Sequence, residues 1–323
     1  MKPNNHFTIF LMILFPFASC TQSPPSPTLV SDESSATIML GEQPLLTYVN
    51  SETPAPGGQN PLYKRSAYIH PLRSPGGEIL TRIQPEDHYH HYGIWNPWTH
   101  THFGEDTVDF WNLALGQGTV RFAGYLDQYE RRGEAGFRVR HDHIYFKKEG
   151  GEGVAINETW NLRVHDAGEN VYTADLTVTL STPLEVPVTL EEYRYGGGIG
   201  FRATEKWGTG NSTVLTSEGK TRAGADGTGA RWVIVEGESS VPQGRSGILF
   251  LSHPENRAHP EPMRMWPPEQ NDGLSNVFFE FCPIRHQEWV LEPGKAYTLK
   301  YRMVVFDGVM DVETAEKHWK QFQ

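Results

Sequence analysis

"YTADLTVTL" (Tyr172–Leu180) decides the fold class. Tyr172, Ala174, Leu176, Val178 and Leu180 share one face of an extended chain, and Thr173, Asp175, Thr177 and Thr179 share the other. That alternation marks a strand with one buried face. It recurs in "VAINETWNLRV", where Val154, Ile156, Trp160, Leu162 and Val164 have one parity and Glu158 falls among them. An inward acid is either a paired core group or a functional one, because a lone buried carboxylate is costly. "TLKYRMVVF" sets Leu299, Tyr301, Met303 and Val305 against Lys300 and Arg302. Shorter runs are "RWVIVEG", "GILFLSH" and "NVFFEFC", with Gly, Pro, Asn and Asp between them, as in antiparallel sheets. One helix is expected, capped by Asp311, with Val312, Ala315, Trp319 and Phe322 on its buried face. About a dozen strands and one terminal helix predict an all-β fold, a large antiparallel β-sandwich with a short C-terminal helix. A strand-switched barrel is the alternative.

The chain has 323 residues, a net charge of −11 and 12% aromatic residues. Disordered chains are poor in aromatics, so most of this one folds. The acidic balance argues against a nucleic-acid partner, which needs a basic stripe. It leaves a sugar ligand open.

Lys2 followed by the apolar run "FTIFLMILFPFA" and then "FASC" predicts a signal peptide over residues 1–19. The run is too short to span a bilayer comfortably. Small residues before Cys20 look like a lipoprotein signal, in which Cys20 is lipidated; an ordinary cleaved signal is the other reading. The expected location is periplasmic or outer-membrane-associated, otherwise secreted, with the membrane touched only through the lipid anchor. Residues 20–36, rich in Ser and Pro, read as a flexible tether. Residues 37–323 read as a single β-sandwich domain. Cys282 is then left without a partner, so no intrachain disulfide is expected, and its flanking Phe281 and Pro283 make it a core residue.

"DHYHHYGIWNPWTHTHF" (Asp87–Phe103) is the densest chemical stretch. Read as extended, it points His88 and His90 one way and Asp87, Tyr89 and His91 the other. A His pair two residues apart offers at most two metal ligands, and no zinc motif supplies the rest. No cofactor is therefore predicted, and a divalent metal is the open alternative. Imidazoles also suit proton transfer near neutral pH. Trp95, Trp98 and Trp111 add flat apolar faces, which stack on sugar rings as readily as they close a core. Asp109 is a candidate for orienting a histidine or holding hydroxyls. In "EEYRYGGGIGFRATEKW" (Glu191–Trp207), Gly196–Gly198 permit positive φ or close backbone approach, and Tyr193 and Arg202 are candidate ligand groups. "LSHPENRAHPEPMRMWPP" (Leu251–Pro268) gathers His253, Asn256, Arg257 and His259 in a proline-braced loop. Glu280 faces away from Phe279 and Phe281, on a side whose burial the sequence does not reveal.

"YIHPLRSPGGEILTR", "DHYHHYGIW", "VDFWN", "HPENRAHPEPMRMWPP" and "LEPGKAYTLKYRMVVFDG" together resemble the PmoA-like family of secreted bacterial proteins over most of residues 40–310. The last of these also resembles the closing strands of galactose-mutarotase-like supersandwiches. In those sugar enzymes a His and an acid move protons at a sugar carbon or ring oxygen. The resemblance implies a carbohydrate site lined by His90, His91, Trp95 and His253, although the chain lacks an Asn-Arg pair of the mutarotase kind near its N-terminus.

The expected function is an extracytoplasmic, carbohydrate-active enzyme working by hydrolysis, elimination or epimerisation. His90 or His91 exchanges the proton, His253 or Glu280 complements it, and Arg202, Asn256, Arg257 and Asp109 hold hydroxyls, with Trp95, Trp98, Trp111 and Tyr193 as further binding groups. The alternatives are a non-catalytic glycan-binding lipoprotein and a metal-dependent oxygenase or hydrolase. The enzyme reading requires Asp87–Phe103 and Leu251–Pro268 to converge on one cleft.

Overall fold

The structure, a computed structural model, describes Met1 and residues 26–323. Cys20, the signal peptide and the first part of the expected tether lie outside the described residues. The tether's second part differs from expectation. Pro27–Ser31 and Ser35–Leu40 form an antiparallel hairpin, with Leu29 opposite Ile38. Its polar loop residues Asp32 and Ser34 turn the chain: Asp32 accepts from the backbone N–H of Ser34 and of Ser35. The Ser/Pro-rich composition hid a strand whose stabilising partner lies across the turn.

Two large antiparallel sheets carry the fold. The first has nine strands in the spatial order Pro27–Ser31, Ser35–Leu40, Gln43–Val49, Tyr68–Leu72, Ile94–Trp95, Ile199–Arg202, Phe278–Phe281, Glu261–Met265 and Gly229–Ala230. The second has eight: Ser212–Thr216, Trp232–Glu238, Arg245–Ser252, Tyr297–Asp307, Val171–Ser181, Glu152–His165, Glu134–Phe146 and Gly118–Arg131. A small sheet of four strands, Trp289–Leu291, Val188–Leu190, Thr101–Phe103 and Asp106–Val108, shares no ladder with either but packs on the same core. Ile38, Leu46, Tyr48, Ile69, Ile94 and Phe279 of the first sheet share one core with Trp160, Leu162, Leu176, Val178, Leu299 and Met303 of the second. Each such aliphatic side chain, fully buried, contributes roughly 1.5–3 kcal/mol. The structure is a β-sandwich.

The alternation read from Tyr172–Leu180 holds along that strand. Val154 does not follow its own series: the ladder slips between Val154 and Ile156, so Ala155 turns inward and Val154 is only half-buried. The C-terminal helix spans Val312–Lys320, and Asp311 caps it by accepting from the N–H of Thr314 at 2.7 Å. Ala315, Trp319 and Phe322 cover Trp232, Leu249, Leu251, Val304 and Phe306 on the outer face of the eight-stranded sheet. Val312, expected on that face, is exposed because it opens the first turn beyond the edge of the covered patch. Among the described residues no helix is long and apolar enough to cross a membrane.

The outer face of the nine-stranded sheet positions the site. Ile69, Ile94, Met265 and Phe279 point into the sandwich, so their neighbours Tyr68, Trp95, Trp266 and Phe278 point out. Those outward rings form a second aromatic cluster with Tyr92, Trp111 and Leu113. Three connecting segments lie over it: Gln84–Tyr92, Asp109–Leu113 and Tyr193–Gly198.

Candidate functional site

The histidine segment is not extended. His88 N–H donates to the Pro85 carbonyl at 2.9 Å, and His91 N–H donates to the His88 carbonyl at 3.0 Å. Two successive turns replace the expected strand, and strand alternation therefore does not apply. His88, His90 and His91 come together instead of dividing between two faces. Their ring centroids are 5.4 Å apart for His88–His90, 4.7 Å for His88–His91 and 4.8 Å for His90–His91.

These imidazoles line a cavity of about 230 Å³ with Trp111, Asn112, Tyr193, Arg194, Tyr195 and Trp266. His91 is fully buried and packs against both Trp111 at 5.5 Å and Phe278 at 5.1 Å, with Trp95 at 5.3 Å. His88 and His90 are half-buried and reachable. Trp266 lies 4.7 Å from the His88 ring and donates its indole N–H to the Tyr195 hydroxyl at 3.1 Å. Burial, helped by the neighbouring His88, pushes the His90 imidazole down to about 3. Burial also holds His91 well below the ordinary histidine range. Both are thus neutral across the physiological range, able to accept a proton. Both ring nitrogens of His91 and the indole N–H of Trp111 have no hydrogen-bond partner among the described residues. Such orphaned groups in a native structure call for an explanation, and a ligand in the adjoining cavity supplies one.

Supporting groups hold this arrangement. Asp87 lies 3.2 Å from Nδ1 of His88 and accepts from Arg202 at 2.6 Å and from Asn271 at 2.5 Å. Burial acts to raise the Asp87 carboxyl, but the close His88 ring, the hydrogen bond and charge of Arg202 and the hydrogen bond from Asn271 outweigh it and hold the group well below the usual range. Arg202 stacks on Trp266 at 4.5 Å. Asp109 accepts from the backbone of Trp111 at 2.8 Å and of Asn112 at 2.7 Å, and so props up that wall. Gly196, Gly197 and Gly198 all have positive φ. A Cβ on Gly197 would overlap the Trp98 ring, so the loop bearing Tyr193–Tyr195 requires glycine there.

A family model matches residues 35–320. The chain belongs to the family of unknown function DUF6807. A search of curated proteins returns no match. Among solved structures, a mutant heparan sulfate lyase from Pedobacter heparinus is 7% identical with a TM-score of 0.38, over 88% of this chain and 37% of that one. A TPR-domain containing protein from Parabacteroides distasonis is 10% identical with a TM-score of 0.32, over 88% of this chain and 48% of that one. The DUF6807 chain thus spans less than half the length of these structures. At such scores the likenesses carry no functional weight.

Of the residues singled out in the sequence, the DUF6807 fold brings His90, His91, Trp111 and Tyr193 to the cavity wall. Trp95, Arg202 and Asp109 act one layer behind. Glu280 points to the same outer face but is sealed beneath the glycine loop, where it accepts from the Gly196 N–H at 2.6 Å. Burial raises its carboxyl well above the usual range, so it stays protonated. Trp98 belongs to the sandwich core. His253, Asn256 and Arg257 do not reach the site. Their loop leaves the eight-stranded sheet at Ser252 and enters the nine-stranded sheet at Glu261, so it bridges the sandwich edge. His253 packs on Phe322 at 5.3 Å, Asn256 holds the Lys300 backbone at 2.8 Å, and Arg257 covers Trp289 at 5.4 Å. Only the far end of that segment converges on the site: Trp266 packs on His88 and His91, and Arg264 donates to the Tyr195 hydroxyl.

His88, read in the sequence only as half of a two-ligand metal pair with His90, and Asn112, Arg194, Tyr195 and Trp266, which were not singled out, complete the site. His88 had a legible signal, an acid immediately before it at Asp87; the others had none beyond composition. Among the described residues no group of three or more His, Cys, Asp or Glu is arranged to hold a metal ion. A separate buried cluster answers the question of the inward Glu158. It accepts from Asn96 at 3.0 Å and from His143 at 2.8 Å, with His141 at 3.5 Å, inside the core. Glu158 is a paired core group, wholly removed from the cavity.

Proposed function

We propose that this protein is a carbohydrate-active enzyme whose proton chemistry is done by His88 and His90. The observation that carries the reading is the gathering of three imidazoles, two of them reachable, at the wall of one aromatic cavity. Trp111, Trp266, Tyr193 and Tyr195 offer faces to the C–H side of a sugar ring, and the polar groups between them bind hydroxyls. His90, neutral and half-buried, accepts the substrate proton. His88, oriented by Asp87, is the second proton-handling group. His91 braces both from behind. Hydrolysis, elimination and epimerisation all need such a pair, and the substrate decides among them.

Export with lipidation at Cys20 and the resemblance to the PmoA-like secreted proteins would fit this reading, since polysaccharides are met outside the cytoplasm. Labelling cells with a fatty-acid analogue tests the anchor: Cys20→Ser abolishes incorporation if the lipoprotein reading is right.

The test of function is an oligosaccharide screen read by product mass. Hydrolysis adds water, elimination cleaves without it, and epimerisation leaves mass unchanged. His88→Ala and His90→Ala each lower turnover by about 100-fold or more, the usual worth of a general acid or base. Binding without turnover in the wild type would instead favour a glycan-binding protein. Stoichiometric metal in the purified protein, lost in His90→Ala, would favour the metal-dependent alternative.

A further inference from the structure

The charge around the cavity runs against the charge of the chain. The whole protein carries −11, yet no carboxylate lines this cavity, and Arg194 stands in its wall. Other cavities carry acids: Glu78 and Glu205 line one, Glu269 and Asp272 another, Glu134 and Asp175 a third.

Of the three carboxylates behind the cavity wall, Asp109 is taken up by the backbone of Trp111 and Asn112, and the other two are each outnumbered. Asp87 faces Arg202 at 2.6 Å and Arg82 at 3.8 Å. Asp226 faces Arg264 at 3.0 Å and Arg285 at 3.1 Å. Arg285 also donates to the Arg194 carbonyl at 2.9 Å and so ties the Arg194 loop to that ion cluster. Arg194 itself is exposed, lies with its guanidinium 5.4 Å from the Tyr195 ring centre, and has no ion pair among the described residues. One guanidinium group in the wall and four behind it thus outnumber the three carboxylates near the cavity. Glu280 beneath the loop, sealed from water, adds no negative charge that burial permits. A concave site lined by one sign of charge focuses its field toward a ligand of the other sign. Arginine's planar fork matches a carboxylate in bidentate fashion.

We infer that the cavity takes an acidic saccharide, and that Arg194 is the specificity-determining residue that holds its carboxylate. The inference rests on the carbohydrate reading of the same site and narrows it to sugars such as uronates. A neutral saccharide gains hydrogen bonds from arginine but no ion pair. An acidic one approaches a protein whose net charge is −11, so a preference for it calls for a local site of positive charge.

The experiment is calorimetric titration of the full chain with galacturonate, glucuronate and mannuronate trimers and with the neutral galactose, glucose and mannose trimers of the same linkage. The expected result is at least about tenfold tighter binding of one acidic trimer over its neutral counterpart. Arg194→Gln removes that difference by lowering the acidic affinity more than the neutral one, while Arg194→Lys restores part of it. Because Arg194 is exposed, neither variant threatens the fold. Equal binding of the neutral trimer, or an acidic preference that survives Arg194→Gln, overturns the inference and leaves the carbohydrate reading standing. Binding of no saccharide from either series overturns both.

Discussion

Nη2 of Arg202 donates to Oδ2 of Asp87 at 2.6 Å, and the arginine end of this pair is wholly buried. The pair joins the sheet to the turn that bears the histidines. Removing the carboxylate strands a buried guanidinium, which costs about 3 kcal/mol, the lower end of the usual range because Asp87 is partly exposed. Asp87→Asn should therefore lower stability in urea titrations by that amount. Arg202→Met combined with it should lose less than the sum of the two single changes, by roughly 1–3 kcal/mol. Strict additivity would show that the two residues are not coupled. The contribution of Asp87 is present above the ordinary carboxylate range and is lost as pH falls through its depressed folded value.

The pH dependence of turnover identifies the base. The His90 imidazole is pushed down to about 3 by burial and by His88. If His90 takes the proton, the acid limb of kcat/KM lies well below the ordinary histidine value of about 6.5. Activity measured from pH 7 to pH 5 should then stay nearly level. A tenfold fall across that interval would remove His90 from the role.

Glu158 makes a prediction about the core alone. Burial acts to raise its carboxyl, but hydrogen bonds and charge from His141 and His143 hold it far below the usual range. Its stabilisation is present above about pH 4.3, the unfolded value, and is lost as pH falls through the lower folded value. Glu158→Gln should cost on the order of 3 kcal/mol at pH 7 and much less in acid. Ligand affinity at the cavity should not change in the folded fraction, and a loss of affinity there would contradict the separation of the two clusters.

Glu261 behaves in the opposite sense. Burial pushes its carboxyl up to about 7, against hydrogen bonds from Ser252, Tyr301 and Asn256. The folded state then holds a proton that the unfolded state releases, so stability declines as pH rises from the unfolded value of about 4.3 to about 7. Glu261→Gln retains an acceptor and removes the titration. The variant should gain relative to wild type between pH 5 and pH 8 by roughly 3 kcal/mol, read as the pH dependence of the urea midpoint. Parallel stability curves for the two proteins would refute it.

The sandwich was legible because strand alternation is local: Leu176, Val178 and Leu180 declare their inward parity without reference to any partner. The C-terminal helix was legible for the same reason, through Asp311 and the spacing of Ala315, Trp319 and Phe322. The histidine segment misled because its composition fits a strand as well as a turn. Two backbone hydrogen bonds spanning three residues, together with Arg202 on Asp87 and Trp266 on His88, favour the turns. Arg202 and Trp266 come from elements more than a hundred residues away in the chain.

Alternation alone determined that Glu280 lies opposite Phe279 and Phe281, that Glu158 points inward, and that Asp87–Phe103 concentrates imidazoles beside tryptophans. Only the tertiary structure decided which face of each strand is core, since that depends on what the other sheet covers. It also decided that His88, His90 and His91 share one wall, that His253 and Arg257 sit on the sandwich edge, and that guanidinium groups crowd a cavity in an acidic protein. Period-two patterning sets a side chain's direction relative to its own strand, whereas the convergence of distant loops depends on the register and order of strands that the pattern does not contain.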